Sequence, residues 1–495
     1  MASTINTNVP SLNSQRNLDR SGSALSISLQ RLSSGFRINS AKDDAAGLAI
    51  SERFTAQIRG IDQGTRNSND GVSLAQTGEG ALASAGGILQ RIRELAVQSV
   101  NASNSASDRA ALQGEVSQLA DELNRIATTT AFNGQKLLNN SSSFTFQVGA
   151  NVGEVITTNT VNFQTDSYGS YRIGTKVATA TNNTGDLVIG STANALASNA
   201  AASNRVAGGT VTIKGALGSA TVTAAAAASA KTVAQLINGK TDTTGVRATA
   251  KTEFDITALS TADTGFSINI TSTNTSAVAV SFTTGASSKS GTADYYSDAV
   301  NAINNVSSKT GVTAKVNSTN DGITLLNANG DNITITINSG TGGATIGGTA
   351  TASGAAAIGT GSIILDSDRS FSIVAANTTD FFTATAATSQ QQKVSLVDVG
   401  NVDAANRTIA MIDGALQAVN TQRAKFGALQ SRFEAAIENS RTTSENLAAS
   451  RSRIRDTDYA NETANLTRNQ ILQQAGTAML SQANTLPQQV LSLLK

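Results

Sequence analysis

The sequence predicts an α+β protein in which long, coiled-coil-like terminal helices and a β-hairpin flank strand-rich α+β outer domains inserted in the middle. Three observations carry this reading. Residues 1–175 and 396–495 are rich in Arg, Glu, Gln, Leu and Ala, whereas 176–395 are dominated by Ala, Gly, Ser, Thr and Asn. Apolar residues recur every three or four positions over several heptads, and only in the ends. Both prolines, Pro10 and Pro487, stand at the extremes, so no proline interrupts the chain between them.

The N-terminal end holds three helical stretches. The first carries Leu25, Leu29 and Leu32. The second shows the series Ile50, Phe54, Ile58, Ile61, Val72, Ala75, Leu82, Leu89, Ala96 and Val100. A helix from Asp44 to Val100 would be about 85 Å long at ~1.5 Å per residue, too long for a compact core. Ser40 and Asp43 have the spacing of a capping box at its start. A polar break from Asn101 to Asp108 follows, with Ser107 or Asp108 as the expected cap of a third helix through Leu112, Val116, Leu119, Leu123 and Ile126. After Thr128 the period changes to two: Phe144–Val148, a Gly149–Asn151 turn, then Val155 and Ile156 predict a hairpin.

The middle shows short alternating runs at Val211–Ile213, Phe266–Ile270, Val278–Phe282, Ile323–Leu326 and Ile333–Ile337. Asn329-Gly330 between the last two is a hairpin signal. An internal repeat is also present. Ile237 and Asn238 followed by Thr244, Gly245, Val246 and Ala248 recur as Ile303 and Asn304 followed by Thr310, Gly311, Val312 and Ala314. Each copy follows a short amphipathic stretch, which predicts duplicated strand-and-helix units. The C-terminal end returns to helix, through Ile412, Leu416, Val419, Phe426, Phe433, Ile437, Leu447 and Ile454. A last segment, Asp458–Leu486, places Ile471, Ala475, Ala478 and Met479 on one face.

Composition excludes much chemistry. With no His and no Cys there is no imidazole shuttle, no Ser–His–Asp triad, no thiol nucleophile, no His- or Cys-based metal site and no disulfide. The paired carboxylates Asp43–Asp44 and Asp456–Asp458 are explained by helix starts, so no catalytic, cofactor or metal site is assigned. A net charge of +1 gives no footprint for nucleic acid. No run approaches the roughly 18 apolar residues of a membrane-spanning helix. The N-terminus lacks the basic and apolar regions of a secretory signal, which by itself predicts a cytoplasmic protein.

Longer motifs redirect that reading. QRLSSGFRINSAKDDAAGLAI (Gln30–Ile50), RNSNDGVSLAQ (Arg66–Gln76) and LQRIRELAVQ (Leu89–Gln98) resemble the N-terminal signature of bacterial flagellin. SRIRDTDY (Ser452–Tyr459) and QQAGTAMLSQAN (Gln473–Asn484) resemble its C-terminal signature. The resemblance covers both ends and leaves the middle to be read from its own residues. It implies a homopolymeric filament subunit of the bacterial flagellum, exported through the flagellum-specific type III channel and therefore secreted and extracellular. Export chaperone, cap and junction proteins are implied partners. Residues 1–43 and 456–495 would form an inner helical domain, 44–175 and 396–455 a helical and hairpin domain, and 176–395 variable surface-exposed domains. A hook–filament junction protein shares such ends and is one alternative; an adhesin carried by the middle is another.

The resemblance also implies surfaces for host innate immune receptors. Arg91, Leu95 and Glu115, with Gln90, Ile92, Arg93 and Glu94 in the same motif, match the stretch bound by the vertebrate Toll-like receptor for flagellin and used in axial subunit contact. From spacing alone, Arg91, Arg93 and Glu94 read first as a solvated helix face with local charge pairs. Gln30, Arg31, Arg37, Ile38, Asn39, Ser40, Lys42, Asp43 and Asp44 fall within the epitope sensed by plant receptors. For self-assembly, Leu25, Leu29 and Leu32 are expected to face Ile471, Ala475 and Met479, or their equivalents in another copy.

Overall fold

The computed structural model describes residues 7–174, 197–198, 206, 208–259, 265–286, 292–317, 319–339, 344–346, 349–375 and 386–492. The helices are α1 (Val9–Ser34), α2 (Ala45–Val100), α3 (Ala106–Thr129), α4 (Ala230–Asn238), α5 (Thr241–Thr244), α6 (Ser297–Asn305), α7 (Ser307–Thr310), α8 (Val402–Arg455) and α9 (Tyr459–Ser492). They belong to two compact units. One comprises 1–76, 143–159 and 426–495; the other comprises 77–142 and 160–425. The long α2 and α8 contribute to both.

In the first unit α1 and α9 run antiparallel. Asn8 Nδ2 donates to the Ala483 carbonyl, and Arg31 lies 3.7 Å from Glu462. Strands Ser143–Gln147 and Val155–Asn159 form the expected hairpin, with Phe146 opposite Ile156. The helix starts differ from the sequence reading. Ser40 and Asp43 close a turn before α2, and the α2 cap is Asp44, whose Oδ1 accepts the Gly47 N–H at 2.8 Å. The extra turn arises because one Asp43 oxygen already holds the N–H groups of both Asn39 and Ser40. Ser105, not Ser107 or Asp108, caps α3; Asp108 is the reciprocal partner of that capping box.

In the second unit α2, α3 and α8 share a seam of Leu82, Leu89, Ile92, Leu95, Val116, Leu123, Ile412 and Val419, all 2% exposed or less. Among the described residues the remainder holds antiparallel sheets of eight, five and four strands and a two-stranded one, Ala131–Phe132 with Gln135–Lys136. Strand Arg247–Thr257 links two cores. Its Ala248 and Ala250 pack with Ile213, Val233, Ile237 and Ile373, while Phe254 and Ile256 pack with Ile268, Ile303 and Ile335.

The repeat is a repeated structure. In each copy a helix is followed by one short turn of helix and a glycine in the left-handed region, Gly245 at φ 73° and Gly311 at φ 69°. The asparagine then clamps the next strand. Asn238 donates to the Ala248 carbonyl at 2.9 Å and accepts its N–H at 2.7 Å; Asn304 does the same to Ala314 at 3.0 and 2.8 Å. The amide thus supplies one residue's worth of ladder to a strand end. Thr244 and Thr310 are fully buried, and each hydroxyl binds the preceding helical carbonyl while accepting the valine N–H at 3.2 Å.

The Asn329-Gly330 hairpin is corrected. Strand Gly322–Asn327 pairs with Thr313–Val316 and Arg247–Thr257, whereas Ile333–Ser339 pairs with Gly265–Thr271 and Ala356–Gly359. The turn carries the chain from one sheet to another because both strands already have partners on each edge. It docks instead on the start of α4: the Gly330 carbonyl accepts the Lys231 N–H, and Lys231 Nζ lies 3.0 Å from Asp331.

Replacing Asn238 with Ala leaves the Ala248 N–H and carbonyl without the clamp. This should destabilise the middle region by about 1–3 kcal/mol, read as a lower midpoint in thermal unfolding followed by circular dichroism. Tyr168 gives an alkaline test. It is 7% exposed, and burial pushes its phenol above the ordinary value of about 10. The native state therefore holds the proton more tightly than the unfolded chain. That stability is complete below about pH 10 and lost as pH rises toward the native value. Tyr168→Phe should flatten this alkaline loss in denaturant titrations between pH 9 and 11.

Candidate functional site

Three places in the helical ends concentrate the residues singled out by sequence. The first is the α1–α9 pair. On α1 the residues turned toward α9 are serines alternating with leucines: Ser11 Oγ donates to Asn484 Oδ1 at 2.7 Å, and Leu18 lies against Gly476. Leu25 and Leu32 are half-buried, but Leu29 is 50% exposed. Ile471 and Met479 are 59% and 62% exposed, and Ala475 is exposed with them. Within one chain these three do not meet the leucines of α1. The reason is rotational: α9 turns Glu462, Gln473, Gly476 and Ala483 inward, which places 471, 475 and 479 on the other side.

The second place is the pair of linkers joining α1 to α2 and α8 to α9. Phe36 and Asp456 form a β-bridge. Ile38 is 1% exposed and belongs to the core. Arg37 Nη2 donates to the Ile454 carbonyl at 2.6 Å. Asn39 and Ser40 are held by Asp43, whose carboxyl stays below its usual range because the Ser40 and then the Asn39 backbone N–H donate to it. Gln30 and Lys42 are exposed. Arg31 reaches Glu462. Asp458 caps α9 and is likewise lowered, first by the Asn461 backbone N–H. Asp44 and Asp458 are therefore helix caps, Asp43 closes the turn before α2 and Asp456 sits in the bridge to Phe36, and among the described residues no group of acidic side chains is arranged to hold a metal.

The third place lies on α2. Around Arg91 the surface is charged: Arg91 bonds Glu115 at 2.8 Å and Glu94 at 3.2 Å, and Arg93 bonds Asp413 at 2.7 Å. Gln90, Arg91, Arg93, Glu94 and Glu115 are exposed, whereas Ile92 and Leu95 are buried in the seam. Only the first five present side chains to an outside partner, because the helical period turns 92 and 95 inward. Such exposed pairs add little stability.

Sequence reasoning missed the seat of the hairpin. Gly60 and Gly64 occupy one face of α2. A Cβ on Gly64 would collide with the Val148 carbonyl, and one on Gly60 would lie 2.8 Å from the Ala150 Cβ. Asn67 Nδ2 donates to the Gln147 carbonyl at 2.9 Å. Below them Phe433 of α8 fills the space left by Gly71 and meets Phe146 edge-on at 5.3 Å. The signal was present as glycines at helical spacing inside an otherwise good helix. Between α2 and α8, Asp62, Arg66, Arg441 and Glu445 line an open groove of about 530 Å³.

An antiparallel helix pair, a hairpin seated on a second pair and a strand-rich middle inserted between the helical ends define a structural chain. The bacterial flagellin N-terminal helical region matches residues 5–143, the C-terminal helical region 409–494 and the flagellin hook IN motif 210–263. B-type flagellin of Pseudomonas aeruginosa is 42% identical over 519 aligned positions, and flagellin of Salmonella rubislaw 38% over 531, each alignment covering 100% of both chains. Among solved structures, FliC from Burkholderia pseudomallei is 22% identical, covering 73% of this chain and 99% of that one with a TM-score of 0.29. The chain belongs to the bacterial flagellin family. It is a structural subunit of the flagellar filament.

Gly64→Ala tests the hairpin seat with a change of sign. On an isolated helix the substitution stabilises by about 1 kcal/mol. Here it should lower the unfolding midpoint and expose the 143–159 hairpin to limited proteolysis.

Proposed function

We propose that this chain polymerises through the outward faces of α1 and α9, which pair with the same helices of neighbouring copies. The observation that carries the reading is apolar exposure on this helix pair. Leu12, Ile27 and Leu29 on α1 are 44–50% exposed, and Ile471, Leu472 and Met479 on α9 are 51–62% exposed. Two helices bury one stripe each against the other, and these residues form a second stripe that the single chain leaves in water. Head-to-tail contacts that do not close a ring build a helical filament.

On this reading 1–43 with 456–495 form the inner domain, 44–175 with 396–455 the domain around it, and 176–395 the outer surface. The filament is extracellular, the subunit passes an export chaperone, and cap and junction proteins bound the polymer. The polar patch of Gln90, Arg91, Arg93, Glu94 and Glu115 serves axial subunit contact and host receptor binding; its exposure and paired charges support both. The filament reading is favoured over a junction protein because the reported relatives that match along the full chain are flagellins.

A chain lacking residues 1–40 should form no filaments under the electron microscope, while the middle region keeps its thermal transition. Filaments of normal length from that chain would overturn the reading.

A further inference from the structure

Apart from the Asn8–Ala483 and Ser11–Asn484 hydrogen bonds and the Arg31–Glu462 ion pair, the α1–α9 pair has few deeply buried side chains to fix its own register. Among its described side chains the only buried residues are Ser11 and Ser28 on α1 and Glu462 and Ala483 on α9. The half-buried Leu18, Leu25 and Leu32 of α1 recur every seven residues among small and polar neighbours, so the pattern repeats along the pair and no deeply buried side chain marks one alignment. The linkers are much better specified. Four helix ends converge there, and each linker satisfies groups that the other leaves open. The Arg37 N–H donates to the Arg455 carbonyl at 2.6 Å, and the Ile38 N–H reaches the same oxygen at 3.4 Å. The Arg37 guanidinium takes the Ile454 carbonyl, also at 2.6 Å. In return the Thr457 N–H donates to the Gly35 carbonyl at 3.0 Å. The Arg455 guanidinium lies 4.4 Å from the Phe36 ring centroid and 3.0 Å from Glu52.

We propose that Arg37 is a positioning residue for assembly: with Phe36, Arg455 and Thr457 it forms a clasp that sets the register of α1 against α9. The outward stripe of Leu29, Ile471 and Met479 is then presented in one alignment rather than several. This rests on the assembly reading above, but it concerns what happens inside one chain and can be tested there. A guanidinium and a main-chain N–H on consecutive carbonyls at the end of α8 form a two-point attachment, so sliding one helix by a turn must break both. Lysine would keep the charge and lose the planar fork.

The absence of cysteine from the sequence supplies a clean reporter. Ser11 and Asn484 touch at the end of the pair remote from the clasp. Ser11→Cys with Asn484→Cys should therefore form an intrachain disulfide on mild oxidation of the monomer. Adding Arg37→Ala should slow crosslinking by about tenfold, the loss expected for a charged hydrogen bond. Arg37→Lys should fall between the two. Phe36→Ala, which keeps the main-chain bonds, should slow it less and guards against a variant in which the linkers no longer fold. Crosslinking of Arg37→Ala at the unsubstituted rate would overturn the proposal, as would a reporter pair that fails to crosslink with the clasp intact. Failure of the unsubstituted protein to elongate filament seeds would instead count against the assembly reading, since the disulfide is read in the monomer.

Discussion

Phe433 occupies space that α2 leaves vacant at Gly71, and its ring meets Phe146 of the hairpin edge-on. Residues from three distant stretches of chain meet at this point, and none of them has a folded environment without the other two. The same dependence recurs along α8, where Ile412 and Val419 complete a seam begun by Leu82 and Leu89. Burial of such side chains contributes about 1.5–3 kcal/mol each, far more than the exposed charge pairs nearby. The helical ends therefore hold together through apolar complementarity between sequence termini, and charge decorates the result.

The middle solves a different problem. Its cores are assembled from Ile, Val and Ala around a few aromatics such as Phe254, Phe266 and Phe371, on strands that are mostly short. Strand ends in such sheets leave backbone groups that must find partners. Asn238 and Asn304 supply them from the preceding helix, and Thr244 and Thr310 do so from inside the turn. These are local devices, each closed within about ten residues. They explain why an Asn and a Thr-Gly-Val step recur together, where hydrophobic pattern alone would ask for neither.

Long helices, the first hairpin and the repeat were legible in sequence because each depends on period or local chemistry. The five alternating runs of the middle all became strands. Their pairing was not legible: Asn329-Gly330 has hairpin chemistry, yet its strands enter different sheets, since edge occupancy is decided by distant segments. The starts of α2 and α3 moved because neighbouring acids and serines compete for the same N–H groups. Among the candidate residues, period predicted which helices carry them but not the rotation of each helix. Ile92 and Leu95 consequently lie inside, and Ile471 and Met479 face away from α1. Gly60 and Gly64 were overlooked because nothing local says that a hairpin will need their missing side chains.

The clamp between Asn238 and Ala248 has a kinetic meaning as well. Each clamped unit in the middle closes its contacts over short loops, and such contacts form quickly. The seam between α2 and α8 spans more than three hundred residues and waits for nearly the whole chain to appear. The subunit thus has two clocks, a fast one in its surface region and a slow one at its ends. The surface through which copies would join is the last to exist, so an unfinished chain has nothing with which to polymerise.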